Sequence, residues 1–299
     1  MQLPPIIFDR NRVRRNRSHT LKAELTCSDV RHHDNSQLLD RLLDVKRSFK
    51  TALVCGSDTE SIALHVQEKH GLKVVIRGEF CEPEQLSASK PVCSGGVIYD
   101  DEWVPFRDKT FDLIINVRSL HWVNDLPGAL VQLRRCLKTD GLLLTSLLGG
   151  RTLCELREVL SEAEMRLRDG VSPRVSPFVD VRDAGDLLAR AGFALPVADT
   201  DTIVLEYASL SELCTTLKNM GETNAVIERA RGLSTFQLFS LAEDIYRERY
   251  QTPTGQLAAT FEIITLTGWA PAENQQKPLS PGSAQRRLSE ALGTKETSL

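Results

Sequence analysis

From Thr51 onward, short apolar runs alternate with segments whose apolar residues recur every three or four positions. Thr51–Cys55 (TALVC) has the unbroken apolar character of a strand covered on both faces, and a Gly-Ser-Asp turn leads from it into a predicted helix over roughly 58–69. Lys73–Ile76, Val97–Tyr99, Phe111–Asn116 and Leu142–Leu148 read as further strands. Between the last two, Asp125 is placed to cap a helix carrying Leu126, Leu130, Leu133 and Leu137 on one face, with Asp140-Gly141 as its stop. Strands alternating with helices of this length predict βαβ units, hence a parallel sheet with helices on both sides.

Beyond Gly149 the helical period dominates. It runs through Leu153–Leu167, Ser176–Ala191, Leu210–Met220 and 234–250, while Ile203–Tyr207 and Ala258–Trp269 read as strands returning to the sheet. The tail from Ala272 is polar and carries Pro278, Pro281 and Gly282, the pattern of a loose end. The N-terminus holds Arg10, Arg12, Arg14, Arg15 and Arg17 against one acid, Asp9. Such a stretch is either a transit-peptide-like leader or a solvated basic arm, and the residues favour the arm.

Composition narrows the function classes. The 299 residues are 41 % hydrophobic and 26 % charged, as in an ordinary folded domain. Lys+Arg 37 against Asp+Glu 40 gives a net charge of -3, so no overall positive field exists to hold a nucleic-acid backbone. No apolar run approaches the ~20 residues of a membrane span. The seven cysteines include no CxxC pair and the six histidines no HExxH spacing, so no metal site is evident and the cysteines read as small core residues.

In an open parallel sheet, ligands bind beyond the carboxyl ends of the strands. The loop after the first strand, Gly56-Ser57-Asp58, is therefore a candidate cofactor loop, although it holds one glycine where a close-approach loop favours several. Glu79, just past the second strand, suits the two donors of a ribose diol. Asp100 and Asp101, past the third, could accept from an adenine amine, and Asn116 ends the fourth. His121 is the candidate base, and Trp122 and Asn124 are the candidate substrate-facing wall. Each could equally be a loop or packing residue. If Gly56, Asp100, Asp101 and Asn116 act together, they line one cavity of several hundred Å³.

Six segments carry a resemblance across roughly residues 7–293. IFDRNRVRRNR, LHWVNDLPGAL, GGRTLCELR, SPFVDVRDAGDLLARAGF, MGETNA and ATFEIITLTGWAP resemble the mitochondrial complex I assembly factor 5 and its alphaproteobacterial relatives. The resemblance implies an α/β, Rossmann-like, seven-stranded class I methyltransferase fold, with S-adenosylmethionine as cofactor. It also implies a protein partner, an arginine-bearing subunit of respiratory complex I, which the animal member hydroxylates. More distant relatives methylate malonyl-carrier protein. It begins at Ile7–Arg10, which leaves no room for a separate transit peptide and favours the bacterial cytoplasm, or the mitochondrial matrix in a eukaryote.

The expected organisation is a basic arm and helix over 1–45, a methyltransferase-like domain over 46–271 with a helical cap at about 208–256, and a loose tail over 272–299. Met220, Asn224, Arg229 and Tyr246 are candidate partner anchors in that cap. The first loop departs from the family pattern, with Val54 in place of an acid and Asp58 and Glu60 in place of glycines. Those acids place negative charge near the cofactor's methionine end unless Arg77 or the helix N-terminus offsets it. Replacing both with glycine is then expected to tighten cofactor binding. The rival readings are a small-molecule or carrier-protein O-methyltransferase and a non-catalytic assembly protein that has lost the cofactor.

Overall fold

The apolar run at Thr51 forms the centre of a seven-stranded sheet. The computed structural model describes residues 5–20, 29–80, 94–168, 170–232 and 234–276, together with 282, 283, 290 and 293. Helices α1 (Arg10–Thr20) and α2 (Asp29–Leu43) precede β1 (Thr51–Gly56), α3 (Thr59–His70), β2 (Val74–Glu79) and β3 (Gly95–Ile98). Then come β4 (Phe111–Val117), a 3-10 turn at Leu120–Trp122, α4 (Leu126–Cys136) and β5 (Leu137–Leu148). The second half is α5 (Cys154–Arg168), α6 (Val181–Arg190), β6 (Ala194–Tyr207), α7 (Leu210–Asn219), α8 (Phe236–Tyr250) and β7 (Leu257–Trp269).

The strand order is β3-β2-β1-β4-β5-β7-β6. β1 to β5 run parallel, and β7 pairs antiparallel with both β5 and β6. Chain order reverses between β1 and β4, the switch point at which such sheets open a crevice. Alternation along β1 feeds both faces: Leu53 and Cys55 pack with α4 and α6, while Ala52 and Val54 pack with α2 and α3. A separate core joins α5, α7 and α8 to Phe261 and Ile263 of β7.

Asp125 caps α4 as expected, its carboxylate accepting from the Gly128 N–H at 2.8 Å. Several boundaries differ from the sequence reading: β2 runs on to Glu79, β5 starts at Leu137 and α6 at Val181. α4 stops at Cys136, and the left-handed residue before the apolar run is Asp140 (φ 60) rather than Gly141. β6 starts at Ala194, well before the expected Ile203, because an edge strand needs no unbroken apolar run and this one alternates half-exposed and exposed residues.

The larger correction is at the N-terminus. The arginine-rich stretch is helix α1, docked on the strand ends, and not a solvated arm. Phe8 bridges Val226 antiparallel, and Phe8, Val13, Phe80, Trp122, Ala225 and Val226 form one apolar cluster. Three of the resembling segments, the outermost two more than 200 residues apart in the chain, meet there. No helix among the described residues is long and apolar enough to cross a membrane. Cys55 and Cys136 are buried core residues, whereas Cys27, Cys81, Cys93 and most of the tail lie outside the described residues.

Candidate active site

At the switch point, β1 ends on Gly56 with φ +99, and a Cβ there would lie 2.1 Å from the Val117 carbonyl oxygen. Only glycine fits. Ser57 then donates its N–H to Val117 O at 2.7 Å, which fixes the loop against β4. Asp58 stands where the family pattern has a glycine and adopts a left-handed conformation (φ 54, ψ 30), which a short polar side chain tolerates. Its carboxylate accepts from Arg118 Nη2 at 2.6 Å and from Arg31 Nε at 2.8 Å. Arg118 is 2 % exposed, has φ 43, and also pairs with Asp34, which is fully buried.

The charge of Asp58 is therefore neutralised by two arginines that the sequence reading did not single out. Arg77 lies 3.6 Å from Glu60 and also near Glu79. Asp58 is the N-cap residue of α3, but its side chain makes no cap bond to that helix.

The carboxylates at the ends of β2 and β3 are covered by α1. Glu79 accepts from the Thr59 hydroxyl, and burial raises its pKa despite that bond and the nearby Arg77 and Arg17. Arg10 Nη2 donates to Asp100 Oδ1 at 2.5 Å. Burial likewise raises Asp101, with Arg17 and Arg10 only partly opposing it. Arg17 Nη1 sits 3.7 Å from Asp101 Oδ2, and neither atom has a hydrogen-bond partner among the described residues. Arg10, Arg14 and Arg17 lie 4.3, 5.0 and 5.7 Å from the centre of the Phe80 ring. The acceptors Glu79 and Asp101 Oδ2, beside a loop that only glycine can begin, fit the hydroxyl and amine donors of an adenosyl group.

On the other side of α1, His121 Nε2 meets Glu222 Oε2 at 2.9 Å, and Trp122 Nε1 donates to the same oxygen at 3.0 Å. Burial would push the Glu222 carboxyl up, but the charge and hydrogen bond of His121, with Arg17 and Arg118, bring it below the usual range. His121 packs on Phe178 with ring centres 5.9 Å apart, and its Nδ1 has no hydrogen-bond partner among the described residues. Phe178 and Glu222 both line a cavity of about 860 Å³, which also touches Leu148 at the end of β5 and α7 and α8.

The sequence-predicted residues divide between these two sides. Gly56, Asp100, Asp101 and Asn116 do not line this cavity. Asn116 is fully buried, with its amide spent on Ser119, Cys55 and Thr145 beneath the strand ends. Trp122 is 1 % exposed and packs edge-on against Phe8 at 5.3 Å. Asn124 faces no open site: its Oδ1 accepts from the N–H groups of Ile7 and Phe8, stapling the chain start down. Of the expected partner anchors, Met220 and Tyr246 are core residues, while Asn224 and Arg229 line the cavity. Glu222 was missed, although its segment, MGETNA, carried the resemblance.

Comparisons with known proteins agree with this fold. A methyltransferase-domain family model matches residues 29–196. The arginine hydroxylase NDUFAF5 of Homo sapiens mitochondria is 37 % identical over 281 residues, covering 93 % of this chain and 81 % of the human one. The Danio rerio counterpart is 34 % identical and covers 93 % and 87 %. A malonyl-[acyl-carrier protein] O-methyltransferase of Xylella fastidiosa is 30 % identical over 273 residues, 89 % of each chain. Among solved structures, a Bacillus halodurans chain assigned as a methyltransferase superposes with a TM-score of 0.55 at 14 % identity, covering 80 % of this chain and all of that one.

Proposed function

The chain belongs to the methyltransferase-domain family, in the branch of the mitochondrial arginine hydroxylases, and from that premise we propose that it modifies a protein partner, an arginine-bearing subunit of respiratory complex I. The observation that carries this reading is the His121–Glu222 pair, set between the covered strand ends and an open cavity. S-adenosylmethionine, where bound, supplies an electrophilic methyl group. Glu79 and Asp101 would hold its adenosyl end, with Gly56, Ser57 and the neutralised Asp58 beside it.

The acceptor side is the work of the chain's own residues. Glu222 holds the His121 ring through Nε2, and Nδ1, buried beside Phe178 of the cavity wall and without a hydrogen-bond partner among the described residues, would be the atom that takes a proton from an acceptor group. The cavity wall aligns that group and excludes water, so proximity supplies much of the rate. Asp100, Trp122, Asn116 and Asn124 act by holding α1, the loop after β4 and the chain start in register. The compartment consistent with this reading is the one where the complex's peripheral arm is built, the bacterial cytoplasm or the mitochondrial matrix.

The test is mass spectrometry of peripheral-arm subunits from cells with the gene intact, deleted, or carrying His121→Ala. A methyl or oxygen increment on one arginine, present only with the intact gene, supports the proposal. Unchanged arginines together with a methylated malonyl-carrier protein would move the assignment to O-methyl transfer.

A further inference from the structure

The mouth of the cavity brings together Arg12, Arg174, Arg229 and Arg231 against two acids, Asp9 and Glu222. Part of this charge is balanced within the chain, since Arg229 pairs with Asp9 at 3.2 Å and Arg174 with Glu164 at 2.7 Å. Glu222 is committed to His121 and Trp122. The remainder is cationic. Nε of Arg12 and Nε of Arg174 are buried without a hydrogen-bond partner among the described residues, and Arg231 is exposed. A buried donor left without an acceptor is unfavourable, so these guanidinium groups favour an acceptor brought to the rim. A guanidinium fork matches a carboxylate best.

We propose that this rim docks an acidic stretch of the protein partner, with its carboxylates on Arg12 and Arg231 while the target side chain points toward Glu222. The proposal rests on the cavity being the acceptor site of the function above. An extended polypeptide fits better than a small anion because the positive surface continues past the cavity. Arg15 is exposed on the same helix as Arg12 and one turn along it, and Phe236, 87 % exposed, follows the lining residue Ser234 by two positions. A chain with net charge -3 that gathers arginines at one mouth directs its local field against its overall charge, which steers an acidic partner to that place.

The experiment uses the full chain and three fluorescent synthetic peptides. All share a central arginine, flanked in turn by Asp and Glu, by Asn and Gln, or by Lys. Anisotropy should show the acidic peptide binding about tenfold tighter than the neutral one at low salt, a margin that shrinks as salt screens it. The double variant R12Q/R231Q, verified as folded by circular dichroism, should lose most of that margin. Equal binding of the three peptides, or a margin unchanged in R12Q/R231Q, overturns the proposal. So does displacement of the acidic peptide by octanoate or succinate at lower concentration than by unlabelled peptide, which would assign the rim to a small anion. Binding is read without turnover: an acidic peptide that binds and is never modified defeats the reaction reading alone, and modification without charge preference defeats the docking alone.

Discussion

Helix α1 separates two regions that treat charge in opposite ways. On the strand-end side, the loop's charges are held inside the chain: Arg118 and Arg31 hold Asp58, Arg118 holds Asp34, and Arg10 holds Asp100, with Arg17 and Asp101 facing each other at 3.7 Å without a hydrogen bond. On the cavity side, Arg174 and Arg229 have acid partners, but polar atoms are left over around the cavity, at Nδ1 of His121 and at Nε of Arg12 and Arg174. The first arrangement holds a loop that lacks the usual glycines, and the second leaves recognition to be completed by something else. Ion pairs buried together can hold a charged residue in a strand-end loop, as they hold Asp58.

The largest effect should come from breaking the internally paired region. Arg118→Ala leaves Asp34, fully buried, and Asp58 without their shared cation, and removing one partner of a buried pair costs about 3–5 kcal/mol. Urea denaturation should show this as a large drop in midpoint with the slope retained. Arg231→Ala at the exposed rim should stay within about 0.5 kcal/mol of wild type. Equal losses in the two variants would erase the contrast between the regions.

On the cavity side, Glu222→Gln keeps an acceptor for Trp122 but removes the charge facing His121. Stability should fall by about 2 kcal/mol, the scale of a charge-assisted hydrogen bond in a buried site. Modification of the partner should fall by about 100-fold or more, because the ring loses the group that orients it. Trp122→Phe removes only the N–H and should spare most activity. If both variants were equally inactive, Glu222 would be a packing residue.

How much of this was legible in the sequence depends on the range of the interactions. β1, β4 and α4 were readable because Thr51–Gly56, Phe111–Val117 and the Asp125 cap are set by neighbours in the chain. The number of strands followed from the resemblance, and their order came from the structure. The docking of α1 was not readable, since a run of arginines with one acid has the same composition whether solvated or paired, and its partners Asp100 and Asp101 lie some 80 to 90 residues away. Arg118 was hidden in a strand-end sequence that reads as a loop, and only its left-handed backbone and its contacts to α2 and α3 mark it. Glu222 had a signal, its place in MGETNA, but no local pattern pairs it with His121, 101 residues earlier.

Acid titration sharpens the contrast by sign. Glu164, which anchors Arg174 at the cavity, is held down to about 2: burial would raise it, but Arg174 and Ser172 outweigh that. Together with the depressed Glu222 it lends stability above the unfolded carboxylate pKa of about 4.3, lost as pH falls from there toward 2. Glu79 and Asp101, raised by burial, act the other way: the folded state keeps their protons more readily, so their contribution is present at low pH and lost as pH rises through their folded values. Urea midpoints across a pH series should pass through a mildly acidic maximum. Glu164→Gln should flatten the acid limb and Glu79→Gln the opposite one, and a single limb moving in both variants would contradict the division.

The smallest expected effect is the most diagnostic, because two terms oppose each other at one residue. Asp58→Gly relieves a left-handed backbone, worth about 1–2 kcal/mol to glycine over another residue, somewhat less for Asp. It also removes a carboxylate from Arg118 and Arg31, each charge-assisted bond being worth about 1.5–3 kcal/mol. Arg118 keeps Asp34 and an Asn35 oxygen at 3.2 Å, and Arg31, 15 % exposed, can turn to water, so much of the second term is recovered. The balance is a destabilisation of about 1 kcal/mol. Asp58→Asn separates the terms, since asparagine tolerates the same backbone but carries no charge. It should lose slightly more than Asp58→Gly, with neither the strain relief nor the ion pairs. If Asp58→Gly instead raises the urea midpoint and Asp58→Asn leaves it unchanged, the ion pairs at the strand ends contribute nothing net, and the loop is shaped by its backbone alone.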